Sequence, residues 1–273
     1  IAAYWAGHYK ESYDACQELL QNVSVPSSYL PRIERNLKFA KDKLPTSSSN
    51  SVKLLPSYMK IDLRDVRCCW INLDKHKDNA KNMTDQLEEL GIKNHERLSA
   101  RVVEPLSRAE DLYATATRGC AQSHIDILDN KDNGMPLLIL EDDAKVTEDF
   151  NPIIEVPVNT DAIYLGASHG NNEYVAADIG NGLARISNIY ATHAILYITD
   201  SYRNAVSKTA KYFAYTLNTP FDLGCALLQK EFFVVTPHKP YFYQADERDS
   251  ANKWESVTKT PLRISTRNDL ITN

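Results

Sequence analysis

Residues 137–143, Leu-Leu-Ile-Leu-Glu-Asp-Asp, run four apolar side chains straight into three consecutive carboxylates. Gly134 and Pro136 stand just before, so the run reads as a buried strand entered from a turn. Three acids at the end of such a strand repel one another and resist desolvation. Either a cation sits among them or they splay into water at a solvated loop. If a cation is bound, Glu141 and Asp143 are its expected ligands, because alternate residues of an extended segment share a face. Hard carboxylate oxygens suit Mn²⁺ or Mg²⁺. Asp142 then points elsewhere, toward a ribose hydroxyl. A diphosphate substrate would complete the coordination sphere, and the metal would offset charge on a nucleoside-diphosphate leaving group.

Five other places carry residue types suited to chemistry. Trp70-Ile71-Asn72-Leu73-Asp74 ends the first strand of the alternating region, a position often beside a nucleotide. Asn72, Leu73 and Asp74 are therefore candidate donor contacts, with helix capping as the alternative for Asn72 and Asp74. Gly119-Cys120-Ala121-Gln122-Ser123-His124 is expected to open a helix whose free N–H groups meet an anion, with Ser123 and His124 lining the cleft. A small turn packed under the sheet explains the same residues. Asp222 stands at a helix start, where it is either a cap or a general base, and Asp246 is the next acid in line. His193 precedes a strand and reads as a structural histidine, while residues 246–250 form either a lid or a surface loop. Neither a dinucleotide-binding glycine fingerprint nor a phosphate loop is present.

The elements that must position these residues alternate from residue 60 onward. Strands are expected at 67–73, 95–102, 137–141, 161–165, 193–198 and 232–235, and helices at 79–90, 118–129, 201–215 and 222–229. A hairpin is expected across Asn181-Gly182. This alternation implies an α/β domain with a mostly parallel central sheet, ligands binding beyond the carboxyl ends of its strands. Upstream, Tyr4, Trp5, Tyr9, Tyr13, Cys16, Leu19 and Leu20 recur at helical spacing, and Ile33, Leu37, Ala40 and Leu44 continue the pattern after Pro26. Residues 1–51 therefore read as a tetratricopeptide-like helical hairpin with a Ser-rich linker, and 52–273 as the main domain. The absence of an initiator Met suggests a piece of something longer, or a processed form.

A net charge of −5 without a basic block argues against a nucleic-acid partner. No apolar run approaches the roughly 20 residues of a membrane span. Five cysteines without metal-type pair spacing argue against zinc, and adjacent Cys68-Cys69 reads as buried thiols, so a reducing, cytoplasmic setting is favoured over a secretory lumen.

Taken in order, Trp70–Asp74, Gly119–His124, Leu138-Ile-Leu-Glu-Asp-Asp-Ala144, Ile163-Tyr-Leu-Gly166, Ala191-Thr-His-Ala194 and the Gln244…Ser250 ending resemble glycosyltransferase family 25, the lipopolysaccharide and procollagen galactosyltransferases. The resemblance spans residues 67–250. It implies a GT-A fold, a UDP-sugar donor, Mn²⁺ and inversion at the anomeric carbon, with the acidic strip in the part of the metal-binding Asp-x-Asp motif. Lys75-His76-Lys77 departs from the arginines usual in the family at that turn. The N-terminal hairpin looks like the helical segment of some glycosyltransferases of large DNA viruses. The expected activity is transfer of galactose or glucose from a UDP-sugar to a glycan or glycoprotein hydroxyl. Glu141 and Asp143 would hold Mn²⁺ (or Mg²⁺), Asp222 would act as base, and Asn72, Leu73, Asp74, Ser123, His124 and Asp142 would meet the donor. The alternatives are a non-catalytic sugar- or nucleotide-binding module on the same fold and a metal-dependent phosphoesterase.

Overall fold

Two apolar runs, β2 (Arg67–Asn72) and β4 (Leu137–Glu141), lie side by side in parallel, with Ile71 opposite Glu141. Both bury alternate residues on both faces of the sheet, which is why they read as continuous apolar strings rather than as an alternation. The computed structural model describes residues 57–105, 112–168, 174–245, 258–259 and 261–264. The hairpin and linker expected at 1–51, and the tail at 246–250, lie outside the described residues.

The order of elements is β1 (Tyr58–Asp62), β2, α1 (Lys77–Glu89), β3 (His95–Ser99), α2 (Leu112–Asp129), β4, β5 (Ala144–Val146), β6 (Ile153–Pro157), β7 (Ala162–Tyr164), β8 (Val175–Gly180), β9 (Leu183–Ser187), β10 (Ala194–Tyr197), α3 (Asp200–Tyr212), α4 (Phe221–Leu228), β11 (Val234–Pro237) and β12 (Phe242–Gln244). Eight strands form the main sheet in the order β3-β2-β4-β10-β7-β11-β9-β8, and β1-β6 and β12-β5 form two small antiparallel pairs.

The chain is thus α/β, but the sheet is mixed and not mostly parallel. Only β2–β3, β2–β4 and β7–β11 run parallel; β4–β10, β10–β7, β11–β9 and β9–β8 run antiparallel. The reason lies in the connections. A parallel neighbour needs a crossover, which α1 and α2 supply. From β4 to β10 strand follows strand with no intervening helix, so the chain turns back on itself instead.

Local signals explain several boundaries. Gly91, at φ 75, ends α1, and Asn181 (φ 54) with Gly182 (φ 70) makes the left-handed two-residue turn of the β8–β9 hairpin. Thr199 caps α3 by accepting the Tyr202 N–H. Cys69, Ile71, Leu137, Ile139, Tyr164 and Ile195 meet Ile125, Tyr202, Val206 and Phe221 in one core, so α2, α3 and α4 cover one face of the sheet. Met83 and Leu87 of α1 are buried outside that cluster.

The helix expected to open at Gly119 opens at Leu112, so Gly119 is interior and its N–H offers no anion site. The glycine is needed for a different reason. A Cβ there would fall 2.6 Å from the Arg101 carbonyl oxygen, so the small residue lets residues 101–103 lie directly on α2.

Candidate active site

The acidic strip ends β4, where the sheet changes from a parallel neighbour (β2) to an antiparallel one (β10). Its three carboxylates leave in different directions. Glu141 meets α2 and the segment before β10: His124 Nε2 lies 3.1 Å from Oε1, and Thr192 donates its hydroxyl to the same oxygen at 2.8 Å. Asp142 faces β2 and α1, accepting from Asn72 Nδ2 at 2.6 Å and from Asn79 Nδ2 at 3.4 Å. Asp143 accepts from Gln244 Nε2 at 2.9 Å, and its backbone carbonyl accepts the Ala245 N–H. Each acid is therefore oriented through one oxygen by a neutral amide or hydroxyl.

The electrostatics of Glu141 and Asp222 differ in sign. Burial pushes the Glu141 carboxyl up, but the hydrogen bond and charge of His124 and the Thr192 hydroxyl outweigh it and hold the group below the usual carboxylate range. Glu141 keeps 17% of its side-chain surface exposed, whereas His124 is fully buried. Asp222 is held above its ordinary range by burial, against backbone N–H donors at Ala191 and Leu223 and with the negative Glu141 adding to the rise. Its Oδ1 is buried without a hydrogen-bond partner.

Asp222 reaches this place through a reversal of the chain. A π-helical turn, Phe213–Leu217, follows α3, and Asn218 at φ 50 turns the backbone into α4. Asp222 lies in the first turn of α4, and Pro220 occupies the N-cap without any side-chain cap. Asp222 is therefore not the N-cap residue itself, but it stands in the first turn and accepts the Leu223 N–H there. Ala191, which donates to Asp222, sits at φ 75, a conformation costly for a residue with a Cβ. It is followed directly by Thr192, and the His193 carbonyl accepts the Glu141 N–H at 2.9 Å. Residues 191–193 thus tie the end of β4 to the start of α4.

The other predicted residues fall into two groups. Asn72 is buried and joins the site through Asp142, while its amide also donates to the His76 carbonyl at the start of α1. Neither Asn72 nor Asp74 is the α1 N-cap, which is His76 without a side-chain bond. Asp74 is 73% exposed and ion-paired with Arg97, and the Arg97 and Ser99 hydrogen bonds lower its carboxyl. Leu73 is half-buried beside it. Ser123 is fully buried and spent on structure, donating to the Gly119 carbonyl at 2.8 Å and accepting the Arg101 N–H at 2.8 Å. It is a brace between α2 and the 101–103 loop, not a residue lining a cleft. His193 is buried, with burial holding its imidazole below the usual range, and its ring packs where a Cβ on Gly166 would fall 2.0 Å from Nε2.

Four functional candidates escaped the sequence: Thr192, Gln244, Asn79 and Arg97, whose Nε donates to Asn72 Oδ1 at 2.9 Å. Thr192 and Gln244 stand in segments singled out for other reasons, but nothing local marks them as partners of acids. Glu141 and Asp143 are hard oxygen donors, the type that Mn²⁺ or Mg²⁺ prefers, but they are held on different sides of the strip, Glu141 by His124 and Thr192 and Asp143 by Gln244. Among the described residues, no Lys or Arg pairs with Glu141. Among the described residues, one set of three His, Cys, Asp or Glu side chains converges closely enough to share an ion: Cys120, His124 and Glu141, whose ligand atoms lie within 4.8 Å of one another. No helix among the described residues is long and apolar enough to cross a membrane.

No protein-family model matches the chain, and no curated protein matches it.

Proposed function

We propose that this chain is a metal-dependent inverting glycosyltransferase of the GT-A type, similar to family 25, which moves galactose or glucose from a UDP-sugar to a hydroxyl of a glycan or protein. The observation that carries the reading is the strip Glu141-Asp142-Asp143 at the end of β4. There each carboxylate accepts a hydrogen bond from a neutral side chain, with a fourth acid, Asp222, of raised proton affinity, joined to the strip through residues 191–193.

Each residue has a task in this reading. Glu141 and Asp143 would hold Mn²⁺ (Mg²⁺ serving in its place), which when bound supplies compensation for charge on the departing diphosphate. Asn72 keeps Asp142 turned toward the nucleotide side. Asp222 takes the proton of the acceptor hydroxyl as the new O–C1 bond forms and the bond from C1 to the diphosphate oxygen breaks on the opposite face. Burial raises the proton affinity of this carboxylate, which makes it a better base than an exposed one.

The test combines binding with transfer. A ligand at about 100 times its Kd stabilises the folded chain by about 2.7 kcal/mol, roughly 5–10 °C in a domain of this size. UDP with Mn²⁺ should produce such a shift, and UDP-galactose or UDP-glucose should be turned over. Asp143→Ala should abolish the metal-dependent reaction while its circular dichroism and melting remain native-like. Full activity in folded Asp143→Ala would remove the metal assignment.

A further inference from the structure

Cys120 and His124 stand one turn apart on α2, so their side chains share a face of the helix. That face meets the end of β4 at Glu141. We propose that Cys120, His124 and Glu141 form a binding site for a thiophilic divalent cation of the zinc class. This ligand set differs from the one suited to Mn²⁺ and excludes it, because both require Glu141. The inference goes beyond the transferase reading and does not depend on it.

Distances support the set. Ligand atoms about 2.0–2.3 Å from a tetrahedral zinc lie about 3.3–3.7 Å from each other. His124 Nε2 and Glu141 Oε1 are already 3.1 Å apart. With all three ligand atoms inside 4.8 Å, the Cys120 thiol has about 1 Å or less to travel. Three protein ligands leave a fourth position for water, the pattern of an open zinc site.

The surroundings favour a cation. Burial, and after it the negative charge of Glu141, Asp143, Asp222 and Asp142, holds the Cys120 thiol well above its ordinary range, a setting whose negative charge a bound cation would offset. Thr192 holds Glu141 Oε1 in place, as outer partners of metal ligands do. Thiolate and imidazole rank zinc and cobalt well above manganese, whereas an all-oxygen set does not discriminate by softness. On binding, the Cys120 S–H bond and the His124 Nε2–H bond that faces Glu141 both break, the two protons leave to solvent, and the sulfur and Nε2 electron pairs form the bonds to the metal. No oxidation state changes. Zn²⁺ would then withdraw Glu141 from any oxygen-ligated metal.

Co²⁺ reports directly on such a site. The metal-free chain is titrated with Co²⁺ and the thiolate-to-cobalt charge-transfer absorption in the near ultraviolet is recorded. One equivalent should bind with that absorption, Cys120→Ser should lose it, and Cys225→Ser should keep it. A second measurement needs no variant: Zn²⁺ at about ten times its Kd should slow iodoacetamide alkylation of Cys120 about tenfold, read by peptide mass spectrometry. Absence of the cobalt band in the wild type, a band unchanged in Cys120→Ser, or alkylation indifferent to Zn²⁺ would overturn the site. Neither readout uses glycosyl transfer. A chain that transfers no sugar yet shows the band overturns only the transferase reading.

Discussion

Thr192 gives its hydroxyl proton to Oε1 of Glu141 across 2.8 Å, the same oxygen that faces His124 Nε2 at 3.1 Å. One carboxylate oxygen is aimed from two sides, and the Thr192 donor aims it without cancelling its charge. Thr192→Val keeps the volume and removes the donor. Mn²⁺ should then bind about 10–100-fold more weakly, while Thr192→Ser stays close to wild type. Titration calorimetry of the two variants checks this; weakening by Ser but not by Val would assign the effect to the methyl group.

Asp222→Asn should lower turnover by roughly 10²–10⁴-fold, the usual cost of losing a general base, with donor affinity unchanged. The same substitution should raise the melting temperature at neutral pH. Burial holds the Asp222 carboxyl above its ordinary range, so the folded chain keeps a proton that the unfolded chain releases. Stability from this group falls as pH climbs from the unfolded value of about 3.9 through the higher folded one. Above both, the buried charge is a standing penalty that Asn avoids. Melts at about pH 3 and about pH 7 should show the gain only at the higher pH.

Glu141 has the opposite sign. Although burial raises it, His124 and Thr192 bring its folded value below the unfolded one. The stability it contributes is present above about pH 4.3 and is lost as pH falls through the folded value. Metal-free Glu141→Gln should therefore melt lower than wild type at neutral pH, and the two curves should converge in acid. Parallel curves at every pH would show that the ionised form makes no special contribution.

Gly119→Ala tests the packing of α2 on residues 101–103. In an open helix the change stabilises by up to about 1 kcal/mol. Here the new Cβ meets the Arg101 carbonyl oxygen at 2.6 Å, and overpacking against backbone costs about 1–3 kcal/mol. A fall of several degrees in the melting temperature is expected, at about 2–4 °C per kcal/mol. A rise would mean that the loop does not lie on the helix.

Much of the local structure was legible in short windows. The apolar string before Glu141 marks a strand buried on both faces. Gly91 stops α1, and Asn181-Gly182 makes the β8–β9 turn, because these residues tolerate positive φ. Cys68 and Cys69 are buried, unpaired thiols, as their apolar surroundings suggested. Gly119 misled because a glycine that permits close approach looks the same in sequence as one that marks a boundary.

The chain by itself determined the helices and most strands of the main sheet, though not the short β1, β5, β6 and β12 or the first turns of α2, and it placed three acids at the end of a buried strand. These are properties of neighbours along the backbone, set by periodicity and by φ preferences. Only the tertiary structure decided strand direction between β4 and β11, and only it brought His124, Thr192 and Glu141 to one oxygen. Those contacts join α2, the 191–193 segment and β4. A side chain's partner across the fold depends on the sheet order and helix docking, and no residue carries that information alone.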